Sequence, residues 1–262
     1  MHVGAIRVFL CGHIGAVVFA LCVQNVLLAQ EKAVSPQRTT ASVPFVGCGS
    51  EGQVGPLEAP KGTSPPAPTL SDQEAQKLAY YKSAASAGVL APRGWFCFGT
   101  YGSNGNALFV SSQPIDTAKI FSNGGTGLPG PAVEISHRYG GTSGRFEVAE
   151  IVARVFPAYK SFAADVMKEG ISQPFTFGPY PKDILTYKSK TVVEYQTPAQ
   201  TDGLGTHSAL KKNSGSIDGV AILVGQTPPD ILLLSVRLPP DQCGLASAIV
   251  RQVERDASSQ LK

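Results

Sequence analysis

The chain has 262 residues, 22 Lys+Arg against 19 Asp+Glu, and a formal net charge of +3. Hydrophobic residues make up 43% and charged residues 16%, with 28 Gly and 20 Pro. The apolar content excludes a wholly disordered chain. No three-residue glycine period supports collagen, and the small, dispersed charge offers no footing for nucleic acid. A folded, turn-rich domain with irregular margins remains.

Arg7 is the only charged residue before Glu31, and Val8 to Leu28 is an apolar run of 21 residues. A basic start, an apolar stretch and a small exit residue predict a secretory signal peptide, cleaved after Ala29. The run is also long enough for an uncleaved anchor. However, His13, Gln24 and Asn25 interrupt it, and polar groups are costly in lipid. No later apolar run approaches this length, so no stable membrane span is expected after cleavage. The expected location is periplasmic or secreted. The predicted organisation is signal peptide 1–29, a Pro/Gly-rich arm 30–69, and one domain over 70–258. Within the arm, 43–56 carries apolar residues and Cys48, so it is expected to be pinned to the domain.

Ser71 and Glu74 form a capping box that opens a helix expected to run to Gly88. Trp95 to Val110 reads as strand, turn, strand, with Ser103-Asn104-Gly105 as the turn. Trp95 and Phe98 are expected in the core, on a strand buried on both faces. Ala132–Ser136 is a short strand, followed by a glycine-rich turn over 137–144. Val148, Ile151, Val152, Val155 and Phe156 recur at helical spacing, with Ser143 or Thr142 as cap and Pro157 as stop or kink. A second helix covers 158–169. Strands follow at Ile184–Tyr187, Thr191–Thr197, Gly219–Gly225 and Ile231–Leu238. Asp241 is expected to cap a final helix in which Leu245, Ile249 and Val253 align. This order predicts an α+β fold, a mainly antiparallel sheet with packed helices.

No residue set fixes a reaction. Gly141-Thr-Ser143-Gly144 precedes a helix, with Asp202 and His207 later in the chain. It is one residue short of the hydrolase nucleophile elbow, and a helix cap accounts for Ser143. The glycines at 140–144 with Arg145 lack either phosphate-loop pattern. His137 and His207 have no metal-ligand partner at i+2 or i+4, and Glu134 and His137 lie on opposite faces of a strand. No cofactor and no metal are therefore expected. A recognition patch, if present, is expected at Arg93, Tyr101 and the 173–181 loop with Phe175 and Tyr180, because aromatic and arginine side chains carry much recognition energy.

Cys11 and Cys22 lie within the signal, leaving Cys48, Cys97 and Cys243. Three pairings are open. Export favours oxidation, and the arm has too little periodic structure to hold itself down, so Cys48–Cys97 is the expected disulfide. Cys97–Cys243 is the rival.

The runs FVGCGSEGQVGP (45–56), LAYYKS (78–83) and GVLAPRGWFCFGTYGSNG (88–105) resemble a family of uncharacterised exported bacterial proteins. Gly203–Thr206 and Leu232–Pro239 fit the same pattern. The family often carries a polar residue, commonly His, where this chain has Phe96, so any role of that residue is absent here. The resemblance implies a bacterial envelope or secreted setting and brings no catalytic residue. The expected function is a non-catalytic envelope or secreted binding or structural protein with an extracellular or envelope ligand. The alternatives are a secreted serine hydrolase using Ser143 and His207 with Asp202, and an adhesion protein with the arm as spacer.

Overall fold

The structure, a computed structural model, describes residues 42–67, 70–118, 127–225 and 227–260. The expected signal peptide (1–29), with its cleavage site, and arm residues 30–41 lie outside the described residues.

The elements in chain order are β1 (Phe45–Cys48), β2 (Ser50–Gly52), α1 (Asp72–Lys77), β3 (Leu78–Ser83), β4 (Val89–Pro92), β5 (Phe96–Gly102), β6 (Gly105–Ser111) and β7 (Ala132–Arg138). Then come α2 (Arg145–Val155), α3 (Lys160–Lys168), β8 (Ile184–Tyr187), β9 (Val192–Thr197), β10 (Ile217–Val224), β11 (Asp230–Arg237) and α4 (Ala246–Gln260). Short 3-10 turns lie at Pro157–Tyr159, Leu204–His207 and Cys243–Leu245. The fold is α+β. Its main sheet has eight strands in the order β2-β5-β6-β7-β11-β10-β9-β8. All its pairings are antiparallel except β2 with β5. A three-stranded sheet, β1-β3-β4, accompanies it.

Side-chain alternation divides the main sheet into two buried faces. Leu108, Val110, Val133, Ile135, Val220, Ile222, Leu232 and Leu234 face α4 and the small sheet. Ala107, Phe109, Ala132, Ala221, Leu223, Ile231 and Leu233 face α2 and α3. Strands covered on both sides read as continuous apolar runs, which is why LLLSV in β11 shows no alternation. Helix α2 buries Val148, Ile151, Val152 and Val155 as its spacing predicts. Helix α4 buries Ile249 and Val253, with Leu245 just before it.

Four local expectations are corrected. The helix expected over 71–88 ends at Lys77, although its capping box is present: Glu74 N–H donates to Ser71 Oγ at 3.3 Å, and Ser71 N–H to Glu74 Oε2 at 2.7 Å. Leu78–Ser83 is instead β3, parallel to β1 and antiparallel to β4. Aromatic residues suit a strand, and Tyr81, fully buried, donates its hydroxyl to Pro92 O at 2.7 Å. Ser143 does not cap α2. Gly144 is the N-cap and donates its N–H to Thr142 Oγ1 at 3.2 Å. A Cβ at Gly144 would lie 2.2 Å from Asn104 O, so close backbone approach demands glycine there. Asp241 does not cap α4, because the Cys243–Leu245 turn with Gln242 at its cap intervenes. Finally, β5 is not buried on both faces: Phe96 is 49% exposed, and Trp95 and Phe98 are only half-buried. Only the short β2 lies outside β5 in the sheet.

The arm segment belongs to the same compact unit as the rest, Arg38–Lys262. β1 joins the small sheet, β2 joins the large one, and Val43, Cys48 and Ala67 are buried. Cys48 and Cys97 form a disulfide with a Cα–Cα distance of 5.6 Å, and Cys243 is a free, exposed thiol.

Candidate functional site

The hairpin β8–β9 turns at Lys188-Ser-Lys190, where Thr191 N–H donates to Ser189 Oγ at 3.1 Å and Lys188 N–H to Val192 O at 3.0 Å. It extends the sheet to one side of α4. A groove of about 730 Å³ opens between this part of the sheet and the start of α4. Ile184, Thr186, Glu194, Gln196 and Asp218 form its floor, and Ala246, Ser247, Val250 and Arg251 form its wall. Cys243 lies at the groove as well. The register explains the floor: Ile184 sits opposite Gln196, Thr186 opposite Glu194, and Gln196 opposite Asp218. Even-numbered residues of β8 and β9 therefore share one face, as alternation requires.

The polar groups of the floor are partnered. Lys188 Nζ stands 3.1 Å from Glu194 Oε1, and Gln196 Nε2 donates to Asp218 Oδ1 at 2.7 Å. A second groove of about 350 Å³ shares Lys188 and is lined also by Glu254 of α4. Burial, then the neighbouring Glu194 carboxylate, raises the pKa of Glu254. A volume of this order suits a small molecule or a short peptide segment.

The hydrolase candidates do not converge. Ser143 is exposed in the turn before α2. The His207 ring is held elsewhere, by the Tyr180 hydroxyl and by Glu150 at 3.7 Å. Asp202 pairs with Lys212 at 2.8 Å on the surface. Burial lowers the pKa of His207, against the opposing pull of Glu150. Arg154 stacks on the Tyr180 ring at 4.1 Å, and Asp183 accepts from Thr197 Oγ1 and Leu204 N–H, each at 2.7 Å. These contacts fasten the 171–183 loop to the sheet. The glycine turn is likewise occupied by protein: Gly140 N–H donates to Asp230 Oδ1 at 2.8 Å, and Arg145 Nη2 pairs with Glu169 at 2.6 Å. A phosphate would have to displace that carboxylate.

The expected recognition residues fall into separate places. Arg93 donates from Nε to Leu78 O at 2.9 Å and from Nη2 to Ala75 O at 2.7 Å, closing the C-terminal end of α1. Tyr101 donates its hydroxyl to Gly55 O, holding the arm to β5. Phe175 and Tyr180 pack against the α2–α3 core. All four have structural partners, and they do not form one patch. The groove was missed because it is assembled from β8, β9, β10 and the start of α4. The one sequence signal was the exposed charge of Lys188-Ser-Lys190 between two strands.

His137 Nε2 lies 3.3 Å from Asp230 Oδ2, and burial lowers its pKa. It borders a cavity of about 50 Å³ lined also by Ile135, Leu232, Val253 and Asp256. Such a space holds a few water molecules at most. Among the described residues no three His, Cys, Asp or Glu side chains gather closely enough to hold a metal ion. Among the same residues no helix is long and apolar enough to cross a membrane.

In comparison with known proteins, the chain matches no protein-family model, no curated protein and no solved structure.

Proposed function

We propose that this is an exported, non-catalytic binding protein of the bacterial cell envelope or the surrounding medium, and that the groove beside α4 is its ligand site. The groove carries the reading. Its volume is of ligand size, its wall is the helix α4 and its floor is a hydrogen-bonded sheet. Export is supported by the Cys48–Cys97 disulfide, since such bonds persist in oxidising compartments. The apolar leader and the resemblance to exported proteins point the same way. With Ser143 exposed in its turn, and His207 and Asp202 engaged by other residues, a hydrolase has no support.

Cys243 provides a direct test. It is the free cysteine of the described residues and lies at the groove. The processed protein, recovered from a secreting bacterial host and labelled there with an environment-sensitive dye, is titrated with glycans, lipids, small metabolites and peptides. A saturable emission change with one class is expected. No response to any of them would overturn the site. A full-length mass in the membrane fraction would overturn export.

A further inference from the structure

The main sheet has two edges, and its own chain treats them differently. At the β2 edge, Ser50 and Leu57 exchange backbone hydrogen bonds of 3.1 and 2.8 Å, so a return of the arm covers the strand. At the other edge, β8 pairs only with β9 among the described residues. Lys188 N–H points to Val192 O. By antiparallel alternation, Thr186 and Ile184 also point their backbone groups at β9. The N–H and C=O groups of Leu185 and Tyr187 therefore point outward. Beside them Ile184 is 60% exposed and Tyr187 54% exposed, on opposite faces of the strand.

We propose that β8 accepts an extended acidic polypeptide segment as an additional strand along the mouth of the groove. This rests on the groove being the ligand site and names the class of its partner. Main-chain hydrogen bonds would supply affinity, and alternate side chains would supply specificity. Charge decides the partner's sign. Lys182, Lys188 and Lys190 flank the edge and are exposed. Lys188 leans on Glu194, whereas Lys182 and Lys190 have no acidic partner among the described residues. Of the acidic groups near this edge, Asp183 is turned inward onto Thr197 and Leu204, Glu194 is paired with Lys188, Asp218 accepts from Gln196, and Glu254 lies on α4 across the second groove. Edge lysines discourage pairing with neutral or basic strands, and the same charges favour an acidic one. A second copy of this chain fits poorly. Two β8 strands related by a two-fold axis at Thr186 would set Lys182 against Lys190 of the other copy, and like charges opposite each other repel.

The test uses the processed, oxidised protein labelled at Cys243. The probe is a blocked seven-residue peptide alternating glutamate with valine, and the control alternates lysine with valine. We expect saturable binding of the acidic peptide, weakening as salt rises, and binding of the basic peptide about tenfold weaker or less. Hydrogen exchange should slow at the amides of Leu185 and Tyr187. Methylating every backbone nitrogen of the peptide, which blocks both of its edges, should abolish binding, a change that leaves the protein's folding untouched. The double variant Lys182→Glu, Lys190→Glu should reverse the preference between the two peptides. Equal binding of both peptides, binding unaffected by methylation, or no binding of the acidic peptide would overturn the proposal. A response of the Cys243 dye to another ligand class, with the acidic peptide silent, would remove this inference and leave the groove as a binding site.

Discussion

Glu134 is a carboxyl group on the middle strand β7, 4% exposed, with Ala209 N–H donating to its Oε2 at 2.6 Å. Burial raises its pKa to about 7. A carboxyl whose folded pKa lies above its unfolded value binds extra protons in the native state. Its contribution is fully present below about pH 4.5 and is lost as pH rises towards about 7. That loss is on the order of 3 kcal/mol. His137 and His207 have the opposite sense, since lowered pKa values withdraw stability as pH falls below about 6.5. The difference between the wild type and Glu134→Gln isolates the carboxyl. Denaturant midpoints measured from pH 4.5 to 8 should show the variant gaining on the wild type as pH rises. Parallel curves would show that Glu134 titrates normally.

Among the elements, α1 is the clearest case of local chemistry limited by its surroundings. Six residues are too few to persist alone, so its cap matters. Ser71→Ala should cost about 1 kcal/mol in thermal or chemical unfolding. The Glu74 carboxylate is held below its usual pKa chiefly by the Ser71 backbone N–H. The benefit of the box should therefore be lost in acid. Helix α4 has a different role, because it both seals the core and walls the groove. Ile249 is fully buried. Ile249→Ala should cost about 2–5 kcal/mol by cavity formation. It should also disturb the dye at Cys243 if the groove depends on the seating of α4. A stability loss below 1 kcal/mol would mean the helix relaxes into the space.

At the scale of the whole molecule, the disulfide connects the arm to β5 across a sequence separation of 49 residues. Chain-entropy arguments value such a loop at about 4 kcal/mol, a large share of the roughly 5–15 kcal/mol typical of a domain. The arm also contributes strands to both sheets, so opening the bond should loosen β1 and β2 first. Replacing Cys48 and Cys97 together by Ala should lower stability by about this amount. It should also raise hydrogen exchange over residues 45–57 before the central strands respond. Non-reducing peptide mapping should recover the 48–97 cross-link and a free thiol at 243. A 97–243 cross-linked peptide would contradict the structure.

The sequence alone sufficed wherever the signal was local and periodic. The stripe Val148, Ile151, Val152, Val155 defined α2, Ser103-Asn104-Gly105 defined the β5–β6 turn, and Leu245, Ile249, Val253 defined the buried face of the last helix. The pairing of Cys48 with Cys97 was legible because an apolar but aperiodic arm needs a tether. Non-local pairing decided the rest. Leu78–Ser83 follows a sound helix start, yet partners on both sides, β1 and β4, make it a strand. Ser143, His207 and Asp202 stand in plausible order along the chain, but Ser143 is exposed in a turn, His207 meets Tyr180, and Asp202 pairs with Lys212. Arg93 and Tyr101 looked available for recognition until the carbonyls of α1 and of Gly55 were brought to them. The groove and the open edge of β8 belong to no segment of sequence. They arise because the β8–β9 hairpin carries the sheet beyond the helix that covers its centre.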